Sequence, residues 1–395
     1  MEERMDEFNF TQRAEDNFYS VVDNNYFLDE DADLIYDALN KKMVLKPFGE
    51  HLQRYIYEKA GLTEPRENIS IEYYQQIIKG AFQENHTPPA FEPTTAKISA
   101  LAKNWLTQQS VSRKVVFLLG FGLKMSEKDV EKFLTQALRE QGYRAKDPFE
   151  VICMYCYRYG YGYLKFEQLW DMFAKTAPGQ VDIQALYSEA SFHQRQDFSL
   201  RVTSDASLMA FVSKLKTPDN RLITSVSARR AFDKLYLTAR QLVADMYNDG
   251  EEGKKKVYTE DDITESDLEH IISSAIPIDK HGNLTPAKLS HLNTQFDGKR
   301  FNRQHISDIL AGKAGVTRFD LITLNFFNYS QTLDDYPNAK ARYSSFIETT
   351  NKILQDCYFG ELWIANPYES FLMMCLLSDD PMGTYADVLE RSYQQ

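Results

Sequence analysis

The sequence predicts an all-α protein built from two divergent copies of one helical unit with helix-turn-helix-like segments, joined by a helical connector. Three observations carry that expectation. Val111-Ser112-Arg113 opens one apolar run, and Val316-Thr317-Arg318 opens another. Asp147-Pro148-Phe149-Glu150 is followed by Met154 and Cys156, and Asn366-Pro367-Tyr368-Glu369 by Met373 and Cys375, with equal Pro-to-Cys spacing. The Arg-to-Pro interval differs by 14 residues, the length of the polar stretch from Gln331 to Ser344. Finally, apolar residues recur at helical intervals along most of the chain, while the alternation expected of strands is nearly absent.

Residues 1–45 read as an acidic, aromatic segment containing Phe8, Phe10, Phe18, Tyr19, Tyr26 and Phe27. Ala32, Ile35, Tyr36 and Leu39 have helical spacing within it. So aromatic a segment is expected to pack, on its own body or on a partner. The first unit is placed at 46–175. Phe48, Leu52, Tyr55 and Ile56 form a helical stripe ending near Gly61, and Tyr73, Ile77, Ile78 and Phe82 form a second. His86-Thr87-Pro88-Pro89 breaks the pattern, since proline removes a donor and clashes inside a helix. Ser126 and Asp129 make a capping pair ahead of Val130, Phe133, Leu134, Ala137 and Leu138; Gly142 stops that helix. Asp147-Pro148-x-Glu150 is a strong helix start: Asp accepts from first-turn amides, Pro is tolerated where no donor is needed, and Glu suits the positive dipole end. Asn366-Pro367-x-Glu369 repeats the device.

Residues 176–260 read as a connector between Ala177-Pro178-Gly179 and Asn248-Asp249-Gly250, with Ala231, Leu235, Leu237, Leu242, Val243 and Met246 marking a long helix. Ser199 to Thr203 alternates and suggests one short hairpin strand; Glu251 to Lys256 reads as a charged loop. The second unit is placed at 261–395, opening on the capping pair Thr264 and Asp267.

At 395 residues the chain can hold two or three domains, and 26% charged residues is ordinary for a globular protein. No apolar run approaches the roughly 20 residues of a bilayer span, and the acidic start does not resemble a secretory signal. A cytoplasmic location and no membrane partner are expected. Residues 1–40 hold 12 Asp and Glu against Arg4 and Arg13, which accounts for −10 of the net −12. The acidity is thus N-terminal, and an anionic partner elsewhere is not excluded. Two stretches are basic: Lys214, Lys216, Arg221, Arg229, Arg230, Lys234 and Arg240 outweigh Asp219 and Asp233, and Lys299, Arg300, Arg303, Lys313 and Arg318 outweigh Asp308 and Asp320.

The segment from Phe301 to Ile322 resembles the later part of a Cro/lambda-repressor-type helix-turn-helix. A polar helix, Asn302 to Leu310, ends in Ala311-Gly312-Lys313, and the next begins Thr317-Arg318 with Leu321 and Ile322. The resemblance covers about 25 residues; upstream, Leu284 to Phe296 matches poorly, and the first unit has Ala102 to Thr107 where the polar helix should be. It implies Ile306, Ile309 and Leu310 inward and Asn302, Arg303, His305 and Ser307 outward, where Arg and Asn can pair bidentately with guanine and adenine edges. Lys299, Arg300 and Lys313 would hold phosphates. Lys214, Lys216, Arg229, Arg230 and Lys234 form a secondary basic patch. The chain as a whole is also similar to helical proteins of bacteria, a likeness that carries no activity.

Signals of chemistry are few. Cys153-x-x-Cys156 lacks the second ligand pair a zinc site needs and reads as core packing. Gly120-Phe121-Gly122 lies in an apolar helix rather than after a strand and reads as close helix packing. The tyrosine-rich stretch Tyr155 to Tyr163 reads as a helix end with a tight turn, or as an aromatic contact surface. The seven histidines are scattered, with no zinc spacing, nucleophile elbow or phosphate loop. The expectation is a non-enzymatic protein without cofactor or metal. An unidentified protein is the first-ranked partner. The alternative is a DNA-binding regulator using residues 299–320, with the acidic N-terminus as an internal phosphate mimic covering them.

Overall fold

The computed structural model describes residues 32–42, 46–140, 142–179, 202–249, 257–278, 280–281, 283–296, 298–364 and 366–394. Among these residues there are seventeen α-helices and no strand, only two isolated bridges, Lys216 with Leu222 and Ile278 with Leu284. No helix among the described residues is long and apolar enough to cross a membrane. Most of the acidic segment, Ser199 to Arg201 of the expected hairpin strand, and Glu251 to Lys256 lie outside the described residues.

The chain divides into two compact units that are not successive halves. A middle unit comprises residues 45–224; a terminal unit combines 1–44 with 225–395. The division at 224/225 falls within the stretch 176–260.

In the middle unit, α2 (Phe48–Lys59) and α3 (Ile71–Glu84) both pack on α4 (Ile98–Thr107). The first turn of α2 covers the end of α4: the Phe48 and Gly49 amides donate to the Gln109 and Gln108 carbonyls at 2.8 and 3.1 Å. A Cβ at Gly49 would collide with the Leu106 carbonyl, so the approach needs glycine. The α3 stripe is rotated from its expected register, with Tyr74, Ile78 and Phe82 buried and Tyr73 half exposed. Helix α5 (Arg113–Gly122) packs on α6 (Glu127–Lys132) and on α7 (Pro148–Arg158). The Ser126–Asp129 capping box opens α6, which continues as a π turn over Phe133–Ala137. Helices α8 (Tyr163–Lys175) and α9 (Asp205–Val212) pack on α7 and on each other. Val116 to Gly122 and Val151 to Tyr157 are all buried; the core is rich in aromatic rings, with Phe166 within 5.3 Å of Phe91, Phe121 and Phe149.

The terminal unit holds α1 (Ala32–Asp37, with a π turn over Ala38–Lys42) and, from Ser225 on, α10 (Ile223–Asp249). Of the stripe expected on α10, Leu235 and Val243 are buried but Leu237 and Met246 face solvent. Helix α11 (Glu265–Ile272), opened by the Thr264–Asp267 capping box, packs on α13 (Arg303–Leu310). Between them α12 (His291–Gln295) is a single short turn. Helix α14 (Arg318–Ser330) packs on α15 (Ala339–Asp356) and α17 (Pro381–Arg391), and α16 (Pro367–Cys375) packs on α17. Every residue from Asp320 to Asn328 is buried, so α14 is the spine of this unit. Two of its polar residues are paired within the core: Asn325 Nδ2 donates to Thr350 Oγ1 at 2.8 Å, and Thr323 Oγ1 lies 2.7 Å from the Tyr368 hydroxyl.

Candidate nucleic-acid interface and two Arg–Glu clamps

The residues carrying the internal repetition of the sequence come together as a clamp within each unit. In the middle unit Asp147 caps α7 by accepting from the Phe149 amide at 2.9 Å, and Pro148 takes the first position. This aims Glu150 at Arg113, the first residue of α5. Arg113 Nε and Nη2 donate to the two Glu150 oxygens at 2.8 and 2.6 Å. Nη2 also donates to the Gly142 carbonyl at 2.9 Å, and Glu150 Oε2 accepts the Arg144 amide at 2.8 Å. The pair is buried, with side chains 10% and 4% exposed.

In the terminal unit Asn366 caps α16, Pro367 takes the first position, and Arg318 opens α14. Arg318 Nε and Nη2 donate to the two Glu369 oxygens, both at 2.7 Å. Nη2 also donates to the Glu361 carbonyl at 2.6 Å, and Glu369 Oε2 accepts the Trp363 amide at 2.7 Å. In both clamps the carbonyl lies eight residues before the glutamate and the amide six residues before it. Bidentate geometry of this kind is the strong form of the Arg–carboxylate contact.

The clamps differ at the third guanidinium nitrogen. Arg113 Nη1 meets Glu140 at 3.2 Å, whereas Arg318 Nη1 donates to the Gly360 carbonyl. Burial alone would lower the Arg113 pKa; the Glu150 and Glu140 carboxylates outweigh it and drive the value up. Burial, and then the negative charge of Glu150, lifts Asp147 to about 6. The sequence flagged these glutamates only as partners of the helix dipole. Their pairing with the repeated arginines was missed, although the joint recurrence of Arg and Glu was its signal.

The candidate DNA-reading residues cluster around α13, but most are engaged within the protein. Asn302 caps α13, its Oδ1 accepting the His305 amide at 3.0 Å. His305 Nε2 lies 3.2 Å from Asp320 Oδ2, an oxygen that also accepts the Thr317 amide and hydroxyl at 2.7 Å in the capping box of α14. Arg303 donates its amide to Glu269 Oε1 at 2.9 Å, and its guanidinium approaches Glu269 Oε2 at 3.5 Å. Arg300 donates to the Thr285 carbonyl at 2.6 Å. Ile306 and Ile309 point into the core as expected; Leu310 is 37% exposed and Ser307 half-buried. Lys299 and Lys313 are exposed.

The secondary basic patch is divided between the units. Lys216 is buried: its Nζ donates to the carbonyls of Phe173 and Thr176 at 2.7 and 2.8 Å and lies 4.4 Å from the Phe173 ring centroid. It thus closes the C-terminus of α8, where a cation opposes the helix dipole, and it faces no solvent. Arg229 does the same for α13, donating to the Ile309 carbonyl at 2.5 Å while pairing with Asp233 at 2.7 Å. Lys214, Arg230 and Lys234 are exposed.

Other sequence features take structural places. Cys153 and Cys156 are fully buried in the middle unit, where burial pushes Cys156 up to about 12 and Cys153 well above its usual value. A Cβ at Gly120 would lie 2.8 Å from the Tyr157 ring, so α5 and α7 meet there in close contact. After α7 ends at Arg158, Gly160, with a φ of +67°, lets the Tyr161 amide return to the Cys156 carbonyl at 2.8 Å. That turn leaves Tyr159 and Tyr161 stacked with centroids 6.0 Å apart and about 40% exposed. Among the described residues no group of three His, Cys, Asp or Glu is arranged to hold a metal. No known protein family, curated protein or solved structure matches the chain.

Proposed function

We propose that the protein is a non-enzymatic protein-interaction scaffold built on two divergent copies of one helical module. The copies account for the recurrence of the clamp, with its bidentate pair, carbonyl and amide at matched offsets. The observation that carries the scaffold reading over the DNA reading is the engagement of the α13 side chains. A base reader needs Asn and Arg donors free to face base edges, yet Asn302 is a helix cap and Arg303 sits on Glu269.

The docking face of the scaffold is the outer side of α8. Leu164 and Met172, two helical turns apart, are 54% and 45% exposed, and Tyr159 and Tyr161, just before α8 in sequence, are exposed to about 40%. Aromatic and methionine side chains are enriched at protein interfaces. Proximity cross-linking in cells should capture partners with the native chain and lose them with Leu164→Glu/Met172→Glu; unchanged capture would remove this face from the proposal.

The second reading, a DNA-binding regulator, is favoured by the exposure of Lys299 and Lys313 and by the 62% exposure of the Arg303 side chain. It predicts duplex binding that weakens steeply with salt. Titration with random-sequence duplex at low and moderate salt decides between the readings. The scaffold reading expects no salt-sensitive binding, and binding lost in Arg303→Ala and Lys313→Ala would overturn it.

A further inference from the structure

The terminal unit is assembled from two pieces of chain separated in sequence by the whole middle unit. Its N-terminal piece contributes α1, which packs against α17 and α16. Ile35, Tyr36, Ala38 and Leu39 are at most 5% exposed and belong to the core of this unit. At the end of α17, Arg391 pairs with Asp33 and sets its guanidinium 5.3 Å from the Tyr36 ring centroid. Asp33 sits at the edge of this contact, and Leu34 faces solvent.

A helix this short does not hold itself. Isolated helices below roughly 12–15 residues are marginal in water, and α1 has six residues followed by a five-residue π turn. The surface beneath it therefore supplies its order. That surface has the two components of helix-in-groove recognition: apolar seats for a spaced set of anchors, and a charged residue at the rim that fixes direction.

We propose that the α16–α17 face with Arg391 is a helix-accepting groove, and that its occupant is the α1 segment of this chain, held in cis and exchangeable with the α1 segment of a second copy. The recognition pattern is Asp33-x-Ile35-Tyr36-x-x-Leu39: Ile, Tyr and Leu fill the apolar seats, and the carboxylate meets Arg391. Exchange of an identical element between copies is an accessible route to dimers. Occupation in cis acts as a competitor, because tethering raises the local concentration of the segment to about the millimolar range. This inference stands on the α1 contacts and is independent of the α8 docking face.

The test severs the tether and leaves the rest of the chain in place. A protease site is inserted between residues 42 and 46 of the full chain and cut after folding. Labelled peptide spanning residues 30–44 is then added, with binding and circular dichroism recorded. The proposal expects one peptide per chain to replace the severed segment. The uncut protein should take up the same peptide about a hundredfold more weakly, since the tethered segment competes. A Leu39→Asp peptide should not bind. An Asp33→Lys peptide should bind about two- to fivefold more weakly, the range of an exposed ion pair, and an Arg391→Asp protein should recover that loss. If cutting lowers the helical signal, added peptide should restore it. Failure of the cut protein to take up peptide would overturn the proposal, as would a Leu39→Asp peptide that binds like the native one. A cut protein whose lost helicity the peptide cannot restore would also overturn it.

Discussion

The two units hold the same clamp in different surroundings. Arg113–Glu150 sits among rings: Phe149, next to Glu150, lies 5.8 Å from Phe117, 5.3 Å from Phe166 and 5.6 Å from Trp170. Arg318–Glu369 sits beside a core threaded with hydrogen bonds. There Thr323 meets Tyr368, Asn325 meets Thr350, and the buried Arg342 closes the end of α16 by donating to the Leu376 carbonyl at 3.1 Å. The clamp geometry is thus common to both units, while their cores differ. A bidentate pair with matched backbone partners tolerates little change in geometry, whereas apolar packing can be redistributed if volume is kept.

The largest effects should separate these two kinds of core. Phe166→Ala in the middle unit should cost about 3–5 kcal/mol, the usual range for a buried aromatic truncated to alanine. Glu369→Ala should cost about as much, roughly 3–5 kcal/mol, because it strands a guanidinium whose side chain is only 18% exposed. Denaturant unfolding of both variants checks this; a Glu369→Ala loss under 1 kcal/mol would mean the clamp is not structural. A smaller effect is expected at Asn325→Ala, about 1–3 kcal/mol, for leaving the Thr350 hydroxyl unpaired in the core.

The pH dependence should report on the middle unit, where two groups act in opposite senses. Burial, and then Arg139, hold His51 of the middle unit down at about 4 against an ordinary 6.5. A depressed folded pKa means the contribution is whole above pH 6.5 and is lost as pH falls toward 4. Asp147, raised from 3.8 to about 6, acts in the opposite sense: its contribution is whole below 3.8 and is lost as pH rises through 6. Calorimetry of His51→Asn should show a flatter acid limb than the native chain between pH 6.5 and 4. An unchanged limb would count against a neutral, desolvated imidazole. The smallest effect should come from Arg229→Ala, below about 1 kcal/mol, since its cap on α13 is partly exposed and screened.

Local signals in the sequence were reliable where local physics decides. The capping pairs at Ser126 and Thr264 and the Asp147-Pro148 and Asn366-Pro367 starts all open helices. Facing was less legible: Tyr73 and Tyr74 are adjacent and equally apolar, and the packing of α3 on α4 selects Tyr74. The same holds for Leu237 and Met246 on α10. The packing of α1 on α16 and α17 is a long-range contact that leaves no local mark in the sequence. The α13 residues illustrate a further limit. Polarity and helical position put Asn302, Arg303 and His305 on an outer face, but Glu269 and Asp320, which engage two of them, come from other helices.

The claim that one frame is used twice is tested most directly by double-mutant cycles on the two clamps, Arg113→Ala with Glu150→Ala and Arg318→Ala with Glu369→Ala. Each cycle measures the energy that only the pair supplies. Equal frames predict two favourable coupling energies that agree to within about 1 kcal/mol, since couplings between contacting groups run to about 0.5–3 kcal/mol. A clear coupling in one unit with none in the other would contradict the account.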